Sequence, residues 1–217
     1  MLNAGMEVFS FDYSSAVDAC LANHGLLPNL HVIQADIYRM PFEKGGFDRV
    51  FCFGVLQHTP DVKRAFFSLV EYVKPGGQIA IDVYPNTLKA RLHYPRYLLR
   101  PITKRLPHPL LYSIIEKAVH ILLPISIAIK KIPTVGKYLY PIIPVANYWG
   151  ALPLNGEMLR EWSIIDTFDW LACWYDQPQK ASTVKSWFQE AGLVNGEIRR
   201  LGSFVGTGEK PSNTIHV

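Results

Sequence analysis

The chain has 217 residues, of which 49% are hydrophobic and 18% are charged. This composition excludes a disordered chain, a collagen-like repeat and a disulfide-stapled miniprotein, and it supplies enough apolar material for the core of a globular domain. The net charge is only +4, but the charges are unevenly distributed along the chain.

Residues 6–84 alternate between strand and helix patterns. Residues 7–11 (EVFSF) and 31–34 read as short strands, and residues 14–23 between them predict a helix capped by Ser14 or Ser15. Residues 49–53 form a continuous apolar run of the kind that is buried on both faces of a parallel sheet.

A second helix pattern runs from Pro60-Asp61 to Tyr72, and the Lys-Pro-Gly-Gly sequence at 74–77 is a stop signal for it. The residues expected on its apolar face are Ala65, Phe66, Leu69, Val70 and Val73. Residues 78–84 (QIAIDVY) predict another central strand. After about eighty residues without this rhythm, residues 182–191 predict a helix, and residues 197–201 and a piece from Phe204 predict two closing strands. The alternation predicts a doubly wound α/β sheet.

The segment 86–147 differs from the rest of the chain in charge. It holds ten basic residues and a single acid, Glu116, so its charge is +9 and that of the remainder is −5. It also contains eight of the 16 prolines and two strongly apolar stretches, 110–115 and 119–129. We interpret residues 86–165 as a basic, mainly helical insert or lid within a single domain that spans residues 1–217.

The cysteines Cys20, Cys52 and Cys173 are widely spaced and form no CxxC pair. This spacing predicts buried thiols in a reducing compartment rather than a metal site or a disulfide framework. The N-terminus has no basic start followed by a long apolar run, so no signal peptide is expected. A cytoplasmic protein is therefore the expectation.

Four segments, in register and in order, resemble the class I, Rossmann-like S-adenosylmethionine-dependent methyltransferases of the methyltransferase-11 or UbiE-like type. They are VFSFDYSSAV, VIQADIYRMPF, GFDRVFCFGVLQHTPD and VKPGGQIAIDVY. The stretch TFDWLACWYDQPQKASTVKSWFQEAGL also resembles the C-terminal part of a bacterial branch with a long insert. The resemblance covers residues 5–84 and 166–206. It implies S-adenosylmethionine as cofactor and methyl transfer to a small-molecule or lipid-linked acceptor.

The resemblance also implies which residues bind the cofactor. In an open α/β sheet, ligands lie beyond the carboxyl ends of the strands. Asp12 would accept hydrogen bonds from the ribose hydroxyls, Asp36 would meet the adenine amino group, and the backbone N–H of Ile37 would reach the ring. Gly54 would leave room for the methionine part. The alternatives are a helix-capping Asp12, a turn aspartate at Asp36 and an ordinary strand-end turn at Gly54.

His58 is the one histidine that the matched segments place at the mouth of this cleft. In methyl transfer the sulfonium is already activated, so placement of the nucleophile supplies much of the rate. A hydroxyl nucleophile also benefits from a general base, and His58 is the candidate for that role. The alternative is a histidine that merely begins a helix or lies in a loop.

The glycine-rich loop (GxGxG type) that should follow the first strand has no counterpart here. Gly202, Gly206 and Gly208 lie at the far end of the chain, and residues 2–5 resemble the helix turn that comes after that loop. We therefore expect either a truncated methyltransferase whose first strand is missing, or a chain in which a partner chain or an unusual pairing replaces that strand. Its absence would expose the neighbouring strand edges, so this chain is expected to bind S-adenosylmethionine weakly or not at all.

Two interpretations of the insert remain open. It is either a helical lid with solvated basic residues, or a surface that contacts an anionic membrane or a lipid-like substrate through residues 86–147. A transmembrane span is disfavoured because charged residues and Pro124 interrupt the apolar run. Nucleic acid is unlikely because no binding motif accompanies the tyrosines among the basic residues, such as Tyr94.

An aromatic cluster precedes the final helix pattern, and it predicts either core packing or the lining of an acceptor pocket. Its members are Tyr148, Trp149, Trp162, Trp170, Trp174 and Tyr175. The leading hypothesis is a methyltransferase. The second is a non-catalytic methyltransferase-like remnant that binds a partner or a membrane surface. An NAD-binding oxidoreductase is disfavoured because the order of the segments fits methyltransferases better and its glycine loop is missing as well.

Overall fold

The computed structural model describes residues 2, 5–87 and 95–212, and the chain divides into two compact units. Unit 1 consists of Met1–Tyr84 and Ala181–Val217, and unit 2 of Pro85–Lys180. Three features of the sequence fall outside the described residues in whole or in part: Lys89 and Arg91 of the basic segment, Tyr94, and the turn at residues 2–5.

Unit 1 begins with two parallel strands joined by a helix. Strand β1 (Val8–Asp12) pairs with β2 (Leu30–Gln34) in register from Val8 opposite Leu30 to Asp12 opposite Gln34. Helix α1 (Ala16–His24) connects them. These elements confirm the predicted ones to within two residues. Of the two predicted caps, Ser15 occupies the N-cap position but makes no side-chain bond, whereas the Ser14 hydroxyl accepts a bond from the Ala16 N–H at 3.2 Å.

The other four strands form a separate sheet in the order β3-β4-β6-β5. Strands β3 and β4 are parallel, whereas β6 runs antiparallel to both β4 and β5. The strand bounds are Phe47–Cys52 for β3, Val73–Val83 for β4, Val194–Leu201 for β5 and Ser203–Glu209 for β6. The closing hairpin predicted from the sequence is confirmed.

No strand lies between β1 and β3 among residues 5–87 and 95–212, so both face this gap with an unpaired edge. The expectation that residues 49–53 are buried on both faces is therefore wrong. Phe51 and Phe53 are 47% and 50% exposed, and their rings stack on each other at 5.9 Å. A strand is buried on both faces only where packed elements and neighbouring strands cover its side chains, and β3 is the edge of its sheet among the described residues.

Aromatic side chains connect the two sheets across this gap. The Phe9 ring of β1 lies edge-on to Phe47 of β3, with centroids 5.5 Å apart. Phe42, in the loop between β2 and β3, contacts both of these rings at 5.9 and 5.2 Å. These edge-to-face pairs substitute for the hydrogen-bonded ladder that would otherwise join the strands.

The core of unit 1 lies between its four-stranded sheet and two helices, α2 (Val62–Tyr72) and the helix Ala181–Glu190, here α7. Asp61 caps α2 by accepting a bond from the Arg64 N–H at 2.9 Å. Of the predicted apolar face, Phe66 is fully buried and stacks on Phe188 of α7 at 5.0 Å. The predicted helices are thus confirmed.

The late glycines serve packing in unit 1. A Cβ on Gly206 would come within 2.9 Å of both Phe188 and Ile198. Gly208 lies against Phe188 in the same way, and a Cβ at this position would be 3.0 Å from the ring. This part of β6 is therefore glycine because α7 packs directly on its backbone.

Unit 2 is helical and has its own core. Its helices are α3 (Arg96–Thr103), α4 (His108–Lys130), the single turn α5 (Gly136–Leu139) and α6 (Gly156–Ala172). Arg100 of α3 is buried, forms an ion pair with the buried Asp176 carboxylate and donates two bonds to the Trp170 carbonyl at 2.8 and 2.7 Å. This pairing fixes α3 to the end of α6.

Candidate functional site

The carboxyl ends of β1 and β2 lie together in unit 1. Asp12 is the last residue of β1, and its backbone carbonyl accepts a bond from the Ala35 N–H at 3.0 Å, just beyond β2. Asp36 directly follows Ala35 in the chain. The structure therefore brings the two carboxylates predicted from the sequence to adjacent strand ends.

The Asp12 carboxylate is held by the turn that leads into α1. Its Oδ1 accepts bonds from the Ser14 N–H at 2.7 Å and from the Ser14 hydroxyl at 2.6 Å. Both bonds use the same oxygen, and no described residue donates to Oδ2, which therefore keeps its lone pairs for a ligand. Asp12 is half-buried and does not cap α1, because Ser15 occupies the N-cap position.

Asp36 organises the loop that follows β2. Its Oδ1 accepts a bond from the Tyr38 N–H at 2.9 Å, and Ile37 between them is buried. The Tyr38 hydroxyl in turn bonds both the N–H and the carbonyl of Asp61, each at 2.9 Å. The loop is thereby tied to the start of α2. Asp36 is a turn aspartate, as the alternative interpretation predicted. No described residue donates to its Oδ2, which is therefore open to a ligand.

Gly54 lies two residues beyond β3 with a φ of +74°, which favours glycine. A Cβ here would meet no atom within 4 Å, so the space beside the backbone is open. The Gly54 N–H donates to Asp82 Oδ1 at 2.6 Å, and Asp82 Oδ2 accepts a bond from the Ser203 hydroxyl at 2.9 Å. Asp82 therefore positions the turn, a role that the sequence analysis missed although a carboxylate inside the apolar run QIAIDVY is the signal for it.

Gln57 is a second residue that the sequence analysis did not single out. Its side chain is fully buried in the turn Leu56–His58, yet neither its amide nitrogen nor its amide oxygen has a hydrogen-bond partner among the described residues. A buried amide without partners costs about 1–3 kcal/mol. An amide of this kind, three residues after Gly54 in the chain, calls for a partner such as a ligand or an ordered water.

His58 ends the same turn and is half-buried. Its ring lies edge-on to Tyr84, with centroids 5.6 Å apart and the ring planes 88° apart. Tyr84 follows β4 directly, so His58 also lies near the carboxyl end of a parallel strand. Its role as a general base stays a prediction.

Cys52 ends β3 beside these residues. Burial and the nearby Asp82 carboxylate raise the pKa of its thiol to about 12. The thiol is therefore protonated at neutral pH and is not a nucleophile. Cys20, Cys52 and Cys173 are all unpaired and are half-buried rather than fully buried as expected.

The residues at these strand ends fit one side of the nucleoside cofactor that the resemblance implies. Asp12 and Asp36 each keep a carboxylate oxygen for a donor, such as a hydroxyl or an amino group. The open space at Gly54 admits a group that any side chain would exclude. The gap between β1 and β3 leaves the other side without a strand in the described chain.

The aromatic cluster of unit 2 is mostly accessible, which contradicts the core interpretation for part of it. Trp162 and Trp174 are 51% and 60% exposed. Trp170 packs against the core of unit 2, and so does Tyr148, whose hydroxyl donates to Asp166 Oδ2 at 2.6 Å. The acceptor-pocket role of this cluster stays a prediction.

Comparison with known proteins gives a family match for the N-terminal part of the chain. Residues 1–81 match the family described as a methyltransferase domain. The chain is 37% identical over 73 residues to trans-aconitate 2-methyltransferase of Deinococcus radiodurans, which is 34% of this chain and 27% of that protein. It is 29% identical over 73 residues to the ubiquinone/menaquinone biosynthesis C-methyltransferase UbiE of Idiomarina loihiensis, which is 34% of this chain and 29% of that protein.

The fold is also found among solved structures. An O-methyltransferase family protein from Burkholderia thailandensis superposes with a TM-score of 0.50 at 12% identity, and the match covers 94% of this chain and 44% of that one. This likeness shows the Rossmann-like α/β fold predicted from the sequence. The chain covers less than a third of the length of both curated relatives named above.

Proposed function

We propose, from the premise that residues 1–81 form a methyltransferase domain of the class I, S-adenosylmethionine-dependent type, that this protein transfers a methyl group to a small-molecule or lipid-linked acceptor. The observation that carries the proposal is the pair of carboxylates at adjacent strand ends, Asp12 and Asp36, each with one oxygen held by a turn and one open.

S-adenosylmethionine supplies an activated methyl group on a sulfonium centre when it is bound. Asp12 would accept the ribose hydroxyls, and Asp36 with the Ile37 N–H would hold the adenine. Gly54 has no side chain and so leaves open the space that the methionine part needs, and its positive φ favours glycine at this position. Asp82 holds this turn in place through its 2.6 Å bond to the Gly54 N–H.

His58 is the proposed general base for an acceptor hydroxyl. A neutral imidazole takes a proton from a hydroxyl as the oxygen attacks. Its edge-on contact with Tyr84 fixes the ring plane.

The names of the relatives support a small acceptor, since one is called a trans-aconitate and the other a ubiquinone/menaquinone biosynthesis methyltransferase. The lipid-linked option draws support from the many exposed apolar side chains of unit 2, such as Ile102 and Ile121, at 68% and 66% exposure. A cytoplasmic location at the membrane periphery is part of the same proposal.

The test is calorimetric titration of S-adenosylmethionine and S-adenosylhomocysteine into the chain and its variants. Asp12→Asn and Asp36→Asn keep the turn-forming acceptor oxygen but remove the charge, and Asp18→Asn on exposed α1 is the matched control. We expect weak binding by the unaltered chain, a loss of about tenfold for each site variant and no change for the control, because a hydrogen bond to a charged group contributes about 1.5–3 kcal/mol.

A second candidate is a non-catalytic methyltransferase-like remnant, and the unpaired edges of β1 and β3 favour it. It predicts a chain that is folded by circular dichroism but gives no heat with either ligand up to millimolar concentration. That result would overturn cofactor binding by this chain.

A further inference from the structure

We propose that unit 2 docks on the surface of an anionic lipid bilayer through one exposed face of helix α4, with neighbouring lysines contacting the lipid headgroups. This inference specifies the surface behind the membrane-peripheral location proposed above, and it does not depend on methyl transfer. The face consists of Leu110, Ile114, Lys117, Ile121 and Ile125, and we call it the α4 outer stripe.

Helix α4 has two apolar faces, and within residues 5–87 and 95–212 only one of them packs in a core. Leu111, Ile115, Val119 and Leu123 recur at intervals of four, are at most 5% exposed and belong to the core that α4 shares with α6. The outer stripe follows spacings of four, three, four and four residues, so its side chains line a different face of the same helix. A helix of a soluble domain normally carries charged and polar residues there.

The stripe is well exposed, with Leu110 at 51%, Ile114 at 47%, Ile121 at 66% and Ile125 at 46%. Single exposed apolar residues are ordinary, but four on one helix face form a contiguous patch, and such patches mark interaction sites. Apolar residues are also exposed on the preceding helix α3, where Leu98 reaches 81%.

The charge of the surrounding segment selects an anionic partner. Residues 86–147 contain ten basic residues and one acid. Arg100 is buried in its ion pair with Asp176, and Lys89 and Arg91 lie outside the described residues. Lys131 and Lys137 are exposed, and so is Lys117 within the stripe itself. Each lysine or arginine beside an anionic membrane strengthens binding by about fivefold. Apolar helix faces next to cations are the features that interfacial binding requires.

The C-terminal end of α4 carries the features of a headgroup contact. The exposed Lys131 ammonium lies 5.0 Å from the centre of the Trp149 ring. The half-buried Lys130 donates to the Trp149 carbonyl at 2.6 Å and so holds this tryptophan at the helix end. The indole is 39% exposed. Tryptophan is enriched at membrane interfaces because its ring is apolar and its N–H is polar.

The same end borders a groove of about 520 Å³ between α4 and α6. Leu123, Ile127 and Leu159 are among its apolar lining residues, and Lys131 and Arg160 line it as well. Pro124 and Ala128 also line the groove and lie on α4 close to Ile121 and Ile125 of the stripe. Apolar surface and cations are therefore contiguous around α4.

Helix α4 is long and apolar enough to cross a membrane by length and composition. We propose docking at the surface rather than a span because the inner face of α4 is covered by α6. Helix α6 carries Glu157, Arg160, Glu161, Asp166 and Asp169. Insertion of α4 into hydrocarbon would either take these charges along or strip α6 from the core, and both are costly.

The experiment is co-sedimentation of the full chain with vesicles of phosphatidylcholine alone and of phosphatidylcholine with phosphatidylglycerol, at about 0.05 M and about 0.5 M salt. The variant Ile114→Gln/Ile121→Gln removes apolar surface from the stripe without adding charge. The control Leu26→Gln/Leu201→Gln makes the same kind of change at two unit 1 residues that are 95% and 71% exposed. Circular dichroism confirms that each variant is folded.

We expect binding to the anionic vesicles only, weakened by high salt, about tenfold lower for the stripe variant and unchanged for the control. Absence of binding, or equal loss for the stripe variant and the control, would overturn the proposal. Protein that resists extraction at alkaline pH would indicate a span instead. If light scattering shows a dimer and the stripe variant is monomeric, this face binds a second copy of the chain, and the proposal of a bilayer is wrong.

Discussion

Asp82 Oδ1 accepts the Gly54 N–H at 2.6 Å, and this bond joins the turn after β3 to the neighbouring strand β4. The other carboxylate oxygen accepts the Ser203 hydroxyl at 2.9 Å, at the start of β6. One side chain therefore holds together three strands at the edge where the candidate cofactor residues lie. The left-handed backbone of Gly54 depends on this carboxylate as well as on the glycine itself.

Replacing Asp82 tests this dependence. We expect Asp82→Ala to lower the free energy of unfolding by about 1–3 kcal/mol, because the Gly54 N–H loses a charged acceptor. Cofactor affinity should fall as well. Asp48→Ala is the matched control, since the Asp48 side chain is 84% exposed and pairs with the surface residue Lys74. Urea unfolding and calorimetric titration measure the two effects, and equal losses for both variants would contradict the role of Asp82.

Gln57 offers a prediction in which stability and ligand binding change in opposite directions. Gln57→Leu removes a buried amide without partners at nearly constant volume, so we expect unfolding to become harder by about 1–3 kcal/mol. If the amide is completed by ligand, affinity for S-adenosylhomocysteine falls in the same variant. Gln189→Leu on the exposed side of α7 is the control. Unchanged stability would mean that a buried water already satisfies the amide.

Gly206 is expected to tolerate no side chain. The Cβ of Gly206→Ala would lie 2.9 Å from the Phe188 ring and from the Ile198 side chain, and overpacking of this kind costs about 1–3 kcal/mol. In Gly196→Ala the nearest atom would be 3.6 Å away, so that variant should be neutral or slightly more stable. Thermal unfolding of the pair gives the comparison, and similar melting temperatures would show that α7 moves away from β6 at little cost.

Asp166 in unit 2 gives a pH dependence. Burial raises the pKa of its carboxyl above the ordinary value of 3.8, against the opposing effect of the Tyr148 hydroxyl bond. The folded chain thus holds this proton to a higher pH than the unfolded chain, and the resulting stability is lost as the pH rises through the folded-state pKa.

Asp166→Asn should remove this loss, because the amide oxygen still accepts the Tyr148 hydroxyl and carries no charge. We expect the variant to gain stability relative to the original chain as the pH rises from 3.8 towards neutrality. Urea unfolding across this range measures the difference, with Asp18→Asn as control. A difference that does not change with pH would contradict the assignment.

The sequence predicted those elements whose patterns are local. Helix α2 has a capping Asp61, an apolar face and a stop signal directly after Tyr72, so its bounds follow from neighbouring residues alone. Asp12 and Asp36 were found because each ends a short strand pattern. Their alignment at adjacent strand ends required only that β1 and β2 be parallel.

The properties that the sequence could not predict depend on distant contacts. The run 49–53 has the pattern of a buried strand, yet Phe51 is exposed because no strand of the described chain covers that edge of β3. Asp82 binds Gly54 from 28 residues away and Ser203 from 121 residues away. The isolation of the Gln57 amide depends on every group packed around it. Neither the spacing of residues nor their types contain that information.

The separation of β1–β2 from the four-stranded sheet makes ligand binding part of folding. Backbone amides of β1 and β2 are protected by one ladder and by the aromatic contacts of Phe9 and Phe42, so we expect this pair to open at a lower free energy than the four-stranded sheet. A cofactor that contacts Asp12 on one sheet and Gly54 on the other would hold both in a single closed state. Hydrogen exchange in β1 should therefore slow most when ligand is added. The measured affinity for the cofactor is then lower than the contact free energy alone, because part of that free energy orders the two sheets.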